Sequence, residues 1–252
     1  MKTEWDYTEM ARTYLKRPDY AKDAIQKMIQ ISNVKKSDLI CDIGAGAGHL
    51  TVMLTERGFQ VCAVEPNESM ATHGKRRTQL YNPKVLWINA IAENTSLSND
   101  QFQLVTFGSS FNVTNQSESL VETNRILKRD GWFACMWNHR NLEDEIQQQI
   151  EKIIKTHISE YDYGSRRQDQ TNTINESKLF DNVTLIEGAV EHTISVSNCI
   201  DAWKSHATLH RQAGAKFEEI IAHIEDFLCS LNLEELVVPY TTKIWMARTK
   251  KG

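Results

Sequence analysis

Proline is scarce in this chain of 252 residues. There are four, at Pro18, Pro66, Pro83 and Pro239, and no proline-rich or low-complexity linker divides the sequence. No apolar stretch approaches the roughly 20 residues that cross a bilayer. The opening Met1-Lys2-Thr3-Glu4-Trp5-Asp6 has no signal-peptide core, so a cytoplasmic protein with no membrane partner is expected. Cysteine is sparse and scattered, at Cys41, Cys62, Cys135, Cys199 and Cys229. An odd, unclustered set points to reduced thiols and not to a disulfide framework. Without a Cys-x-x-Cys pair no metal site is signalled. Positive charge is not in excess either: 29 Lys and Arg against 33 Asp and Glu leave a net charge of −4. That argues against a nucleic-acid partner, which normally requires a basic face. Lys75-Arg76-Arg77 is short and reads as a solvated helix end.

What is present suits one globular domain, with 40% hydrophobic and 25% charged residues. Strand and helix patterns alternate through the first half, the mark of a parallel sheet covered on both faces. Apolar spacing predicts a helix over 21–31, and strands over 38–42, 60–65, 84–89, 102–107 and 132–137. A helix over 115–127 leads to a turn at 128–131. A long helix is expected over 141–160, a polar loop over 161–178, a sixth strand over 183–190 and helices over 198–213 and 215–231. Val237 to Thr249 closes the sheet.

The densest information lies in Leu39-Ile40-Cys41-Asp42-Ile43-Gly44-Ala45-Gly46-Ala47-Gly48. An apolar strand ends in an acid, three glycines follow, and a helical pattern starts at once. Glycine removes the Cβ that would keep a ligand off the backbone and tolerates φ > 0. A helix N-terminus beside the turn offers free N–H groups. A second apolar run, Phe59 to Val64, ends in Glu65. Ligands of open parallel sheets bind outside the carboxyl ends of the strands. Glu65 can accept both hydroxyls of a ribose there. The dinucleotide fingerprint is G-x-G-x-x-G; here the spacing is G-x-G-x-G, and His49 holds the place of its third glycine. Asp42 would repel a pyrophosphate but suits a cationic ligand edge.

At this point the chain resembles the class I S-adenosylmethionine-dependent methyltransferases. Asp42 to Gly48 is similar to their first motif, and Val64-Glu65-Pro66-Asn67 with Met70 to their second. The resemblance covers roughly residues 30–140. It implies an α/β, doubly wound, Rossmann-like fold: a mostly parallel seven-stranded sheet with its last strand antiparallel, plus a helical cap. A single methyltransferase domain over 1–252 follows, with an N-terminal lid at 1–20 and a cap and acceptor region at about 140–215. S-adenosylmethionine is the implied cofactor. Its implied contacts are Asp42, Gly44, Ala45, Gly46, Gly48, Glu65, Pro66, Asn67 and Met70. Ala92 and Glu93 would frame the adenine, Gly108 and Ser109 would lie where cofactor and acceptor meet, and Arg12 and Tyr14 would close from the lid.

Many relatives place an acid before the fourth strand's core, where this chain has Gln103. Their turn Leu-Lys-Pro-Gly-Gly is here Leu127-Lys128-Arg129-Asp130-Gly131. On the acceptor side, Ser110, Trp137, Asn138 and Arg140 are candidate substrate contacts. His139 and His206 are candidate bases, since imidazole titrates near neutral pH. The implied reaction is in-line methyl transfer to a small-molecule acceptor, which is chiefly a matter of alignment. Three alternatives stay open: a nicotinamide-dinucleotide oxidoreductase, a sulfonium-dependent alkyl transferase, and a non-catalytic binding protein with the same fold. The acceptor and the oligomeric state are not legible.

Overall fold

The computed structural model describes residues 17–251, without the side chains of Ser165, Arg166 and Ala207. Seven strands form one sheet: β1 Leu39–Ile43, β2 Gln60–Val64, β3 Leu86–Ile88, β4 Phe102–Gly108, β5 Leu127–Arg140, β6 Thr184–Ser195 and β7 Glu235–Arg248. Their order is β3-β2-β1-β4-β5-β7-β6. The first five pair in parallel, and β7 runs antiparallel to both β5 and β6. This is the expected mostly parallel sheet with its last strand reversed. The apolar runs in β1 and β2 follow from burial on both faces.

One face is covered by α1 Lys22–Ser32 and α2 His49–Glu56, the other by α4 Gln116–Ile126 and α6 Thr171–Glu176; α3 Glu68–Thr78 lies between β2 and β3. In α1, Ala24, Ile25, Met28 and Ile29 recur at helical spacing and are buried. The opposite face is held by tilted and edge-to-face contacts among Phe107, Phe111, Phe133 and Phe180, with centroids 5.3–5.7 Å apart. A third core belongs to the cap. It joins α5 Glu145–His157, α7 Val196–Lys204, α8 Ala207–Ala213 and α9 Phe217–Ser230 to Leu236 and Val238 of β7, so the cap reaches beyond the expected 140–215.

The elements differ from the sequence reading in places, each with a cause. The strand expected over 84–89 shrinks to β3, which is an edge strand with Leu86 58% exposed. The turn over 128–131 is absorbed into β5, and its left-handed residue is Asp130 (φ 63°), not Gly131. Gly131 is needed for space instead: a Cβ there would stand 2.9 Å from the Lys128 carbonyl oxygen. β5 and β6 run on past the expected ends because they follow β7 out of the sheet into the cap. The polar stretch 161–178 contains α6, seated by the buried Ile174. The helix expected over 198–213 breaks at Ser205 and His206 into α7 and α8.

Gly188 of β6 is where α1 meets the sheet edge. A Cβ there would lie 2.5 Å from Asp23 Oδ1, 2.8 Å from Ala24 Cβ and 3.0 Å from Ala21 Cβ. Gly188→Ala is therefore expected to lower the unfolding free energy by about 1–3 kcal/mol, the usual cost of overpacking. Urea denaturation checks this, and an unchanged midpoint would refute the close packing.

Candidate functional site

The turn after β1 is built around missing side chains. Gly44, Gly46 and Gly48 all have positive φ (66°, 56° and 80°). A Cβ on Gly44 would fall 2.4 Å from Ser110 Cβ, and Ser110 Oγ donates to the Ile43 carbonyl at 2.6 Å. Ser110 therefore buttresses the turn from beneath and does not face the cavity described below. Gly48 precedes α2, and a Cβ on it would lie 3.3 Å from Gly74 Cα of α3, so it serves helix packing. Gly74 itself leaves room for Trp87, whose ring would lie 2.0 Å from a Cβ there.

Two carboxylates frame the turn. Glu65 Oε2 accepts from Gly46 N at 2.8 Å and Oε1 from Asn67 N at 2.8 Å. Burial raises its pKa above the usual carboxylate range, against the pull of those two N–H bonds. Asn67 in turn caps α3 by accepting from Met70 N at 3.0 Å, and Met70 packs beneath Gly46. Asp42 is buried at the end of β1. Thr51 Oγ1 donates to its Oδ2 at 2.6 Å and Thr106 Oγ1 to its Oδ1 at 3.1 Å. Burial pushes its pKa up to about 6. Thr106 is its register partner on β4, a contact only sheet pairing could reveal.

A cavity of about 230 Å³ opens between this turn and the cap. β1 stands between β2 and β4, where the strand order reverses direction, the usual ligand crevice of such sheets. Of the sequence-predicted cofactor residues, Asp42, Gly44, Ala45, Gly46, Gly108 and Ser109 line it. Glu65, Pro66, Asn67 and Met70 stand beside it at the end of β2. Ala92 and Glu93 follow β3, and Glu93 accepts from Asn115 N at 2.6 Å. Arg12 and Tyr14 lie outside the described residues.

On the acceptor side Trp137, Asn138, His139, Arg140 and His206 all line the cavity. Trp137 Nε1 donates to Asn112 Oδ1 at 3.0 Å. Asn138 faces partly into the protein: its Nδ2 donates to the Pro18 and Asp19 carbonyls at 3.2 and 3.0 Å, and its Oδ1 accepts from Thr242. His139 is buried, 6.3 Å from the Trp245 ring. His206 is the N-cap of α8, with Nδ1 accepting from Leu209 N at 3.2 Å and its ring stacked on Trp203 at 5.1 Å. That bond places its proton on Nε2, which suits a donor better than a base. His206 and His210 have His-x-x-x-His spacing, but His210 packs edge-on against Phe217 at 4.7 Å. No cluster of metal-type ligands occurs among the described residues.

The structure adds residues the sequence reading did not single out as site residues. Tyr20 is buried and hydrogen-bonds Ser109 Oγ at 2.9 Å. Ala21 N donates to Thr242 Oγ1 at 2.7 Å, and Asp19 pairs with His49 at 3.1 Å. The segment before α1 is thereby strapped across the cavity's edge. These contacts span 30, 89 and 221 positions in sequence and leave no local pattern.

This sheet order, with β7 reversed and an acid-flanked glycine turn at the switch point, defines the fold of the class I S-adenosylmethionine-dependent methyltransferases. Residues 40–131 of the chain match the model of a methyltransferase domain. An uncharacterized methyltransferase of Mycobacterium tuberculosis is 28% identical over 125 residues, 50% of this chain and 48% of that protein. The chain thus spans about half the length of the curated relatives it matches. Among solved structures, a protein of Anaeromyxobacter dehalogenans named as a type II methyltransferase superposes with a TM-score of 0.63 at 16% identity, covering 92% of this chain and 97% of that one. A Haemonchus contortus phosphoethanolamine N-methyltransferase, in complex with phosphomonomethylethanolamine and S-adenosylhomocysteine, gives 0.55 at 11% identity, covering 96% and 57%. These two likenesses are ones of fold.

Asp42 yields a pH prediction. Its folded pKa of about 6 lies above the ordinary 3.8 of an aspartate. The stability it contributes is complete below about pH 4 and is lost as pH rises through about 6. Asp42→Asn removes that loss, so the variant should gain on the wild type by up to about 3 kcal/mol between pH 4 and 7, at 1.36 kcal/mol per unit. Paired urea melts across this range measure it, and a constant difference would show that Asp42 titrates normally.

Proposed function

We propose that the protein is an S-adenosylmethionine-dependent methyltransferase acting on a small-molecule acceptor. The observation that carries this reading is the pairing of bare backbone at Gly44 and Gly46 with the buried Asp42 carboxylate on one cavity wall. The residues fit the cofactor. Asp42 complements a cationic amino-acid end, Glu65 keeps lone pairs beyond its two backbone bonds for ribose hydroxyls, and Gly108 and Ser109 leave room at the end of β4. When bound, the cofactor supplies an electrophilic methyl group on a sulfonium, whose leaving thioether needs no protonation.

The chain's own contribution is positioning and the exclusion of water. Well-oriented encounters of this kind lower a barrier by about 7–11 kcal/mol. The cap roofs the cavity with Tyr163, Asn198 and Thr208, and the strap of residues 18–21 closes its edge. That enclosure favours a metabolite over a macromolecular acceptor. In this reading His139 takes a proton if the acceptor must lose one, and Trp137 and Arg140 line the acceptor side with it. A dinucleotide is disfavoured because Asp42 would confront its phosphates.

The test is thermal melting with S-adenosylhomocysteine, NAD or NADP. The first should stabilise by about 2.7 kcal/mol at a hundredfold excess over Kd. Glu65→Gln should weaken its binding roughly 10- to 100-fold while the protein still folds, as expected for loss of bonds to a charged group. A shift with a dinucleotide alone would sink the proposal.

A further inference from the structure

Where the cap meets the cavity, two arginines line its wall beside the cap aromatics Trp203 and Tyr163. Arg140 ends β5 and Arg167 lies in the single turn Gly164–Arg167; both line the cavity. Arg167 Nη2 donates to the Arg140 carbonyl at 2.7 Å, so the two are held together through the backbone. Each guanidinium lies over an aromatic ring, Arg140 at 4.1 Å from the Trp203 centroid and Arg167 at 4.4 Å from that of Tyr163. Stacking occupies the flat faces and leaves the N–H edges for in-plane acceptors.

Those edges are underused. A guanidinium has five N–H donors. Arg140 gives one, Nε, to Tyr240 at 3.3 Å, and Arg167 gives one, to the Arg140 carbonyl. Neither arginine meets a carboxylate among the described residues. Glu151, whose charge acts on Arg167, is salt-bridged to Lys155 at 2.9 Å. Asp201, also on the cavity wall, is itself engaged. Burial, and after it the neighbouring Arg140, depress the Arg167 pKa below its ordinary value, as expected of a cation held without a counter-ion. Tyr240, accepting from Arg140, keeps its own proton to donate.

A partly buried cation gains from an anionic partner, and two half-buried arginines line this cavity wall without a carboxylate of their own among the described residues. We infer that Arg140 and Arg167, with the Tyr240 hydroxyl, form an oxyanion subsite that binds a carboxylate or phosphate group of the methyl acceptor. The assignment to the acceptor rests on the methyltransferase reading; the oxyanion site itself does not. The cavity wall thus offers an acid, Asp42, for the cofactor's cation and two basic side chains for an anionic group of the acceptor. The reacting atom is then a second group on the acceptor, or the carboxylate itself, which needs no base.

The experiment titrates citrate and inorganic phosphate, with glycerol as the neutral control, into the full chain with and without saturating S-adenosylhomocysteine. Saturable binding of at least one anion to the loaded protein is expected. Arg167→Gln and Arg140→Gln should each weaken it about tenfold or more while S-adenosylhomocysteine affinity is kept. Citrate alone would point to a carboxylate, phosphate alone to a phosphoryl group. Arg167→Gln, at the more accessible position, keeps the test usable if Arg140→Gln does not fold. Absence of saturable binding, or binding unchanged in both variants, overturns the site. Anion binding to the unloaded protein only would reassign the arginines to the cofactor's own carboxylate and overturn the acceptor subsite. If anions bind and S-adenosylhomocysteine does not, the methyltransferase reading fails and the oxyanion site stands.

Discussion

The architecture turns on the 2.4 Å that would separate a Cβ on Gly44 from Ser110. Two loops, one leaving β1 and one leaving β4, cross closer than side chains permit. Ser110 fills the space, and its hydroxyl ties the loops through the Ile43 carbonyl. Because the turn is pressed down onto β4, the backbone of Gly44 to Gly46 becomes the floor of a cavity. The Asp42 carboxylate comes within reach of Thr51 on the following helix and Thr106 on the neighbouring strand. Glu65 anchors the same turn from the other side through Gly46. Strand ends, turn and first helix thus share one network of short polar bonds, and any ligand placed there meets groups that are already oriented.

That pre-organisation has an electrostatic side. Asp42 is kept buried beside a cavity at the cost of a raised pKa, and two arginines are kept on the cavity wall without carboxylate partners among the described residues. Neither arrangement helps the empty fold. Both are readily understood as interactions withheld from the protein's own groups and kept for ligand charges, since desolvation has already been met in folding and does not recur on binding.

Much of the cofactor half was legible because its signals are local. Asp42, the three glycines and Glu65 announce a strand, a turn and a second strand end within 27 residues (39–65), and the structure brings them together at one sheet edge. The apolar runs of β1, β2 and β4 were equally plain, since central parallel strands are buried on both faces. What sequence could not supply is long-range. Thr106 matters through register, Tyr20 through a hydroxyl 89 positions away, and Gly188 because a helix from the other end of the chain rests on it. The break between α7 and α8 hid because His206 caps a helix with an imidazole, where Ser, Thr, Asp or Asn would have been the usual sign. Arg167 lies in a stretch that reads as polar loop, and only the fold brings it to the cavity wall beside Arg140.

The β6–β7 ribbon gives the molecule a further character. It pairs without interruption from Thr184–Met246 to Ser195–Glu235. Its lower half carries Ile244 and Met246 of the sheet core, its upper half Leu236 and Val238 of the cap core. A twelve-residue antiparallel ladder resists bending across its own hydrogen bonds. The cap is therefore less a lid on a hinge than the free end of a stiff plank whose other end is clamped in the sheet. The strap across the cavity's edge is moored quite differently, by a few side-chain bonds to Ser109, Asn138, Thr242 and His49.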